Sequence, residues 1–280
     1  MHPSERFLAP NTILTGVPLK QLIDAKLVGL IAESFAAVDA NFDVQAFTLA
    51  ASRGLESFEL KDRARHIAHA LNQQLPKDIG RACELVIQSF GSKLEVTQDY
   101  GLAPMFYMPH SEWIGRYAVA DFENGMRANY ELTQRYTAEF SIRPFIIEHE
   151  TDCLQALETW CQDPNPHVRR LVSEGTRSRL PWAMRLKNIQ VEPTLSLPLL
   201  EQLKDDPELY VRRSVANHLG DIAKDHLELV LETCKRWLAE SAAMSDRARA
   251  KNRRWVIRHA LRYPAKKGHP AALKIRLAAK

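Results

Sequence analysis

Three pairs of polar residues recur at matched positions in the second half of the chain. The members of each pair are four residues apart, and the pairs are Arg170 with Glu174, Arg213 with Asn217, and Arg254 with Arg258. Residues four apart lie on the same face of an α-helix. If three such helices stand side by side, the second members form a polar stripe of a carboxylate, an amide and a guanidinium. A carboxylate in such a stripe can stabilise developing positive charge or orient a water molecule.

The polar stripe also has a simpler interpretation. Arg170 and Glu174 can form an ordinary i,i+4 ion pair, which contributes about 0.2–0.5 kcal/mol to a helix. Asp221 lies one turn after Asn217 and extends the polar stripe toward the helix end. The alternative for Asp221 is a residue of the last helical turn that binds a loop amide. The arginines of the three pairs are candidates for binding phosphate groups.

The elements that would hold the polar stripe come from an internal repeat. The segment DPNPHVRR at 163–170 returns as DPELYVRR at 206–213, an offset of 43 residues. This offset lies within the range of about 40–47 residues that is typical of HEAT and armadillo repeats. In each copy we expect Asp to cap a new helix and Pro to occupy its first position, where a missing N–H costs nothing. A weaker third copy places Arg253 and Arg254 in register after a further 41 residues.

These repeats predict an all-α solenoid whose inner helices stack and line a concave surface. Arg169 and Arg212 then fall where we expect them to bind the capping Asp of neighbouring repeats. We predict one continuous domain over residues 1–280, with an N-terminal helical part at 1–104 and the repeats at 105–280.

The first half of the chain also predicts helices. Apolar residues from Leu22 to Ile31 begin one helix, and the spacing of the apolar residues at 64–71 predicts another, which Pro76 bounds. No run of alternating apolar and polar residues indicates a sheet. Residues 91–110 are the least helical stretch and predict a loop or crossover.

Charge is distributed unevenly along the chain. The net charge is +4, yet the segment from Asp246 to Lys280 carries twelve basic residues and one acid, a net charge of +11. The preceding 245 residues therefore carry −7. A basic tail can be merely solvated, but apolar residues at helical spacing interrupt this one, at Trp255, Val256, Ala260 and Leu261. That pattern favours a folded basic face that contacts nucleic-acid phosphates.

The composition argues against several classes of protein. No apolar run approaches the roughly 18 residues of a membrane span, and the first residues do not resemble a secretory signal. The four cysteines lack metal-binding spacing and predict buried, reduced thiols, at Cys83, Cys153, Cys161 and Cys234. The sequence has no P-loop, no nucleophile elbow and no HExxH zinc motif. We therefore expect a soluble cytoplasmic protein that uses no metal and no other cofactor.

Five segments share their pattern with one known family of enzymes. They are TAEFSIRPF at 137–145, VRRLVSEGTRSRLPWA at 168–183, YVRRSVANHLGDIAKDH at 210–226, KNRRWVIRHAL at 251–261 and KGHP at 267–270. Together they resemble the HEAT-like-repeat alkylpurine DNA glycosylases, and specifically the AlkC branch. The resemblance is good from about residue 105 to residue 270 and loose before that. The sequence departs from the family pattern only at caps and turns, namely at Ser178, Gly220 and Leu227.

The resemblance implies a monofunctional DNA glycosylase that removes cationic N-alkylated bases, such as 3-methyladenine, from double-stranded DNA. Because an alkylated adenine is already positively charged, it leaves without a general acid. The enzyme must supply negative charge beside the oxocarbenium-like sugar and a base that orients water. At the matching positions, the resemblance assigns this catalytic role to Glu139, Glu174 and Asp221. It further implies a bacterial cytoplasmic monomer with no membrane and no obligate protein partner.

Other matching positions predict contacts with DNA. Trp182 follows Pro181 in a loop and is expected to pack on the DNA backbone or deoxyribose, with a wedge between adjacent repeats as the alternative. The remaining predicted DNA-binding residues are Arg170, Arg213, Asn217, Arg254, Trp255 and Arg258. For Trp255, a core position is equally compatible with the sequence. Glu139, which we place on the helix before the repeats, can instead be an ordinary helix-surface residue.

The sequence leaves two other functions open. A non-catalytic HEAT-like DNA-binding or scaffold protein would share the basic face but would lack the carboxylates. A protein-binding HEAT adaptor would not explain the net charge of +11 on the C-terminal segment.

Overall fold

All regular elements in the computed structural model, which describes residues 1–280, are helices. The sixteen α-helices are α1 (Ala25–Ala36), α2 (Val44–Ser52), α3 (Leu60–Gln74), α4 (Ile79–Gln88), α5 (Met108–Tyr117), α6 (Phe122–Thr133), α7 (Ile142–Glu148), α8 (Glu150–Trp160), α9 (Pro166–Gly175), α10 (Lys187–Val191), α11 (Leu197–Leu203), α12 (Leu209–Ile222), α13 (Leu227–Ala243), α14 (Arg247–Ala260), α15 (Arg262–Lys266) and α16 (Pro270–Ala278). Six short 3-10 helices lie between them, at Pro3–Arg6, Leu19–Leu22, Leu55–Ser57, Ala103–Tyr107, Ala118–Ala120 and Pro193–Leu195. No helix combines the length and the apolar character that crossing a membrane requires. The predicted all-α class is confirmed.

The chain forms two compact units, Met1–Glu150 and Thr151–Lys280. The boundary that we predicted after residue 104 lies inside the first unit, because α5 packs on α3 and α6 packs on α4. Both DP repeats lie inside the second unit. One continuous domain over residues 1–280 stays a prediction.

The two helices predicted in the first unit are present. Helix α1 begins where the Asp24 carboxylate accepts a hydrogen bond from the amide of Leu27 at 2.9 Å, which satisfies one of the open donors of the first turn. Helix α3 buries the apolar face that its spacing predicted, with Ala64, Ile67, Ala68 and Leu71 shielded from solvent. It ends before Pro76, which cannot continue a helix.

The predicted loop between the halves of the sequence is shorter than expected. Residues 91–102 contain no helix, but a 3-10 helix begins at Ala103 and α5 begins at Met108. Pro104 and Pro109 lie in the first turns of these two helices, where proline needs no hydrogen-bond partner for its nitrogen. Proline therefore starts two helical segments within the stretch for which we predicted a loop or crossover.

In the second unit, α12 packs against both α9 and α14, so the helices with the matched polar pairs are neighbours. The repeated valines Val168 and Val211 are fully buried. These two observations confirm the helix order that the repeat predicted.

The repeat helices begin two residues later than predicted. In the first copy, Asn165 caps α9 and Pro166 occupies its first turn, while the carboxylate of Asp163 accepts a hydrogen bond from the Asn165 amide at 2.7 Å. In the second copy, Asp206 accepts from the amide of Glu208 at 2.8 Å. Each Asp therefore closes the turn before the helix, because its short side chain binds the backbone two residues ahead.

Arginines connect successive repeats through these turns. Arg169 donates to both carboxylate oxygens of Asp206, at 2.6 and 3.1 Å, as predicted. Arg212 differs from the prediction, because it donates to the carbonyls of Asp206 and Pro207 in the turn of its own repeat, at 2.5 and 2.7 Å. Arg253 supplies the equivalent contact between repeats through Asp205, at 2.5 and 2.8 Å.

All four cysteines are buried, as predicted, and none forms a disulfide bond. Burial raises the pKa of each thiol to about 12, because the thiolate would lose its hydration. The thiols are therefore protonated at neutral pH and act as small apolar side chains.

Candidate active site

Glu174 lies in the last turn of α9, and its buried carboxylate has three partners. The residue is 6% exposed. Nη1 of Arg177 donates to Oε1 at 2.6 Å, and Nη2 of Arg170 lies 3.5 Å from the same oxygen. The hydroxyl of Ser214, on α12, donates to Oε2 at 2.6 Å. The i,i+4 pair that the sequence predicted is thus one part of a larger cluster.

This cluster keeps Glu174 charged despite its burial. Burial alone would raise the pKa of the carboxyl group, because it removes water from the ionised form. The charges of Arg170 and Arg177 and the hydrogen bond from Ser214 outweigh that effect and hold the pKa of Glu174 below its ordinary value. Glu174 is therefore a fixed negative charge at neutral pH.

Asp221 lies one residue before the end of α12 and shares Arg177 with Glu174. Asp221 is 3% exposed, and its Oδ2 accepts from Nε of Arg177 at 2.8 Å. Its Oδ1 accepts from Nζ of Lys224 at 2.8 Å. A single guanidinium therefore joins two buried carboxylates from neighbouring helices, and we call Glu174 and Asp221 the carboxylate pair.

The other members of the polar stripe have different surroundings. Asn217 is half-buried on α12, and its side-chain oxygen accepts from Nη2 of Arg262 at 2.9 Å. Arg258 is half-buried on α14 and donates to the carbonyl of Ala279, near the C-terminus. The structure therefore gives Arg258 a structural contact in addition to the phosphate-binding role that the sequence predicted.

His218 supports the backbone beside the carboxylate pair. It is fully buried, and its Nδ1 donates to the carbonyl of Ser173 at 3.0 Å, because a carbonyl can only accept. Its Nε2 lies 3.3 Å from the hydroxyl of Ser196. Burial lowers the pKa of His218 to about 4, so the ring is neutral at physiological pH.

Trp182 extends into solvent from the loop between α9 and α10. It is 76% exposed and has a φ of 63°, in the left-handed region that side chains other than glycine seldom adopt. Leu180 and Leu186 are buried on either side of it. Arg179 makes two hydrogen bonds to Asp225, at 2.6 and 2.7 Å, and so ties the loop to the turn after α12. A wedge between repeats does not fit such an exposed ring.

The remaining candidate DNA contacts lie on α9, α12 and α14. Arg170 is half-buried, and its guanidinium lies 5.2 Å from the centroid of the Tyr210 ring. Arg213 is exposed on α12, and Arg254 is half-buried on α14. Trp255 is also half-buried, and its ring stacks on that of His259 with centroids 4.8 Å apart and an interplanar angle of 11°.

Glu139 belongs to the first unit and lies in the turn between α6 and α7. We predicted a helical position, but Thr137 instead shapes the turn. Its hydroxyl accepts from the Glu139 amide at 3.3 Å and donates to the Glu139 carboxylate at 2.8 Å. Residues such as threonine favour turns because their side chains bind nearby backbone groups.

Sequence reasoning missed Arg177, Ser214 and Lys224. Arg177 follows Glu174 by three residues and precedes Asp221 by 44, close to the repeat offset of 43. The repeat offset could therefore have predicted that Arg177 contacts Asp221 in the next repeat. Ser214 carried no such signal, because a helical serine is common and its partner lies on another helix.

Two proteins are similar to this chain, each with 33% identity over the matched region. One is a Pseudomonas fluorescens alkylpurine DNA glycosylase, AlkC, bound to DNA containing an abasic site analog, with 33% identity and a TM-score of 0.80. The match covers 93% of this chain and 68% of that chain. The other is the uncharacterized protein YhaZ of Bacillus subtilis (strain 168), 33% identical over 216 residues. That match covers 77% of this chain and 56% of YhaZ, so it spans little more than half of the length of that relative.

A more distantly related structure is similar to this chain in fold alone. AlkD2 from Streptococcus mutans is 19% identical, with a TM-score of 0.50, and the match covers 83% of this chain and 98% of that one. No family model matches the sequence.

Proposed function

Because the chain belongs to the AlkC family of alkylpurine DNA glycosylases, we propose that it hydrolyses the N-glycosidic bond of cationic N-alkylated bases of the 3-methyladenine type in double-stranded DNA. The observation that carries the proposal is the carboxylate pair, which Arg177 joins between α9 and α12. Burying ionised groups is costly even when they are paired. Buried charges with specific partners are therefore frequent at functional sites.

The proposed reaction needs no general acid. The glycosidic bond breaks with its electron pair passing to the alkylated base, which leaves as a neutral molecule. Positive charge then develops on the deoxyribose, and the negative charges of Glu174 and Asp221 stabilise it. Water adds to the anomeric carbon and gives up one proton, for which a carboxylate is the acceptor.

We propose that the surrounding residues hold the DNA. Trp182 packs against the exposed deoxyribose or backbone, since its large apolar ring is 76% exposed to solvent. The proposed partners of phosphates and the adjoining backbone are Arg170, Arg213, Asn217, Arg254, Trp255 and Arg258. Phosphate contacts of this kind position a protein on DNA without reading its sequence.

Three parts of the proposal depend chiefly on the resemblance to the family. Glu139 is a proposed third catalytic carboxylate. The enzyme is proposed to be monofunctional and to act as a cytoplasmic monomer. It is also proposed to work without a cofactor or an obligate protein partner.

The test is release of modified bases from methylated DNA. Purified protein is incubated with methylated duplex DNA, and the bases released are identified by chromatography. We expect 3-methyladenine to appear faster than it does by spontaneous loss, and the Glu174→Gln variant to lose most of that acceleration. If the wild-type protein binds the duplex but releases nothing above the spontaneous rate, the non-catalytic DNA-binding function replaces the glycosylase.

A further inference from the structure

Two buried serines from neighbouring repeats form a chain of hydrogen bonds that ends at Glu174. The hydroxyl of Ser173, on α9, lies 2.6 Å from that of Ser214, on α12. The hydroxyl of Ser214 in turn lies 2.6 Å from Oε2 of Glu174. Ser173 and Ser214 are 0% and 3% exposed, so bulk water does not compete for these hydrogen bonds.

The chemistry of the three groups fixes the direction of both hydrogen bonds. An ionised carboxylate can only accept, so Ser214 must donate its single proton to Glu174. Ser214 then has no proton left for Ser173, so Ser173 must donate to Ser214. The carbonyl of Arg170 is the other acceptor near the Ser173 hydroxyl, and it is farther away, at 3.3 Å.

We infer that Ser173 and Ser214 form a hydroxyl relay that positions the Glu174 carboxylate and favours its ionised form during base excision. The inference rests on the proposed function, because the relay affects the reaction only if Glu174 acts in it. Both serines are positioning residues, since they act through Glu174. A donor that itself receives a hydrogen bond donates more strongly, so Ser173 reinforces the bond from Ser214.

Other groups hold the two ends of the relay in place. The ring of His218, on α12, donates to the carbonyl of Ser173 at 3.0 Å and so fixes the backbone of the first serine. Arg170 and Arg177 face Oε1 of Glu174, at 3.5 and 2.6 Å. Asp221 reaches the cluster through Arg177. Oε2 of Glu174 therefore contacts the relay, whereas Oε1 contacts the charged groups.

The test compares pH profiles of single-turnover excision of 3-methyladenine from a duplex with one lesion. In Ser214→Ala, the acid-side midpoint should rise by about one pH unit, because the variant lacks a hydrogen bond to the ionised form of Glu174. Ser173→Ala should raise the midpoint by less. Ser241→Ala is the matched control, since Ser241 is equally buried but donates to the carbonyl of Leu238 at 2.8 Å. Circular dichroism at each pH restricts the comparison to folded protein.

A double variant separates the relay from ordinary packing. If Ser173 acts only through Ser214, then Ser173→Ala/Ser214→Ala should have the same midpoint as Ser214→Ala. An unchanged midpoint in Ser214→Ala, or additive shifts in the double variant, would overturn the relay.

An NMR titration makes this test independent of excision. The carboxyl resonance of Glu174 in ¹³C-labelled protein, assigned with Glu174→Gln, should titrate at higher pH in Ser214→Ala than in the wild type. If the wild type releases no base, the proposed function fails, and the titration alone decides on the relay. Equal titration midpoints in wild type and Ser214→Ala would then reject it.

Discussion

At the scale of single residues, the feature that matters most is that Glu174 and Asp221 share Arg177. Removing one partner of a buried ion pair is usually costly because it leaves an unpaired charge. Here the loss of either acid leaves Arg177 bound to the other, since its Nη1 contacts Glu174 and its Nε contacts Asp221. Either carboxylate can therefore be neutralised alone, because the Arg177 guanidinium keeps the other as its partner.

Neutralising either carboxylate should separate catalysis from binding. Glu174→Gln and Asp221→Asn keep the side-chain shape and remove one negative charge. DNA affinity should survive or improve in each, because the repulsion of the phosphates decreases. Single-turnover excision should fall by about 10²-fold or more if the charge stabilises the sugar cation. Quench-flow measurements of excision and fluorescence anisotropy measurements of affinity give the two quantities.

A control variant and a double variant make this test more specific. Glu228→Gln changes an exposed acid in the first turn of α13 and should excise at the wild-type rate. Glu174→Gln/Asp221→Asn should unfold at lower urea concentration than the two single variants together predict, because Arg177 loses both of its partners. Wild-type excision in both single variants would remove the carboxylate pair from the mechanism.

At the scale of elements, α12 is the helix on which the site depends. It packs against α9 on one side and α14 on the other, and it contributes Ser214, His218 and Asp221. Burial lowers the pKa of His218 to about 4, so its ring stays neutral well below physiological pH. Protonating the ring would place an unhydrated charge between α9 and α12, so α12 is one acid-sensitive element of the second unit.

His218 should make stability depend on pH between about 4 and 6.5. The unfolded state binds a proton below its ordinary pKa of about 6.5, whereas the folded state does so only below about 4. His218 therefore does not reduce the free energy of unfolding well above pH 6.5. As the pH is lowered toward 4, this residue lowers the free energy of unfolding by about 3 kcal/mol. Urea unfolding at pH 7 and pH 4.5 measures the difference, which should shrink in His218→Gln.

The matched control for this prediction is His69→Gln, because His69 is exposed on α3. That variant should keep the full difference between the two pH values. If His218→Gln loses as much stability as the wild type between pH 7 and 4.5, then another group governs the acid sensitivity. His110 and His259 are the next candidates, since burial lowers their pKa values to about 3 and about 4.

The sequence predicted those elements whose signal is local. The helix order in the second unit follows from the DP repeat, and the apolar spacing of α3 follows from its own residues. The helix starts were misplaced because the choice between Asp163 and Asn165 as the cap depends on turn geometry and not on residue type. Ser214 was missed because its partner lies 40 residues away, on an element whose contact no local pattern records. Arg177 was missed although its spacing of 44 residues to Asp221 is close to the repeat offset.

At the scale of the whole molecule, the net charge of +11 on residues 246–280 overstates the charge available to DNA. Arg249 and Arg253 both donate to Asp205, and Arg253 also donates to Glu240. Arg258 donates to the carbonyl of Ala279. The cations that have fewer contacts within the protein should therefore contribute most to the dependence of binding on salt.

DNA binding should weaken steeply with salt, and Arg213 and Arg254 should carry part of that dependence. Removing one arginine that binds a phosphate should reduce the slope of log affinity against log salt concentration by about 0.9. We expect this reduction in Arg213→Ala and in Arg254→Ala, measured by anisotropy on an undamaged duplex between about 50 and 200 mM salt. Arg236→Ala is the control, because Arg236 on α13 is already paired with Glu201 and Glu240. Unchanged affinity and slope in both test variants would mean that DNA binds elsewhere.

The choice of substrate should depend on the charge of the damaged base. The second unit places the carboxylates of Glu174 and Asp221 beside Arg177, and the other groups that donate to them are a serine hydroxyl and a lysine. His218 is neutral, because burial lowers its pKa to about 4, and it therefore does not serve as an acid. A base that leaves only when protonated finds no donor in this arrangement, whereas a cationic base needs none.

A panel of duplexes, each with one defined lesion, tests this dependence directly. Cationic lesions such as 3-methyladenine should be excised, and uracil and hypoxanthine should remain in place, because these neutral bases leave too poorly without protonation. Trp182 and the carboxylate pair are proposed to act on the sugar and backbone, so the shape of the base should matter less than its charge. Efficient release of uracil or hypoxanthine would require both a general acid and a base-reading pocket. That result would reject the sugar-centred mechanism while leaving the helical-repeat fold unaffected.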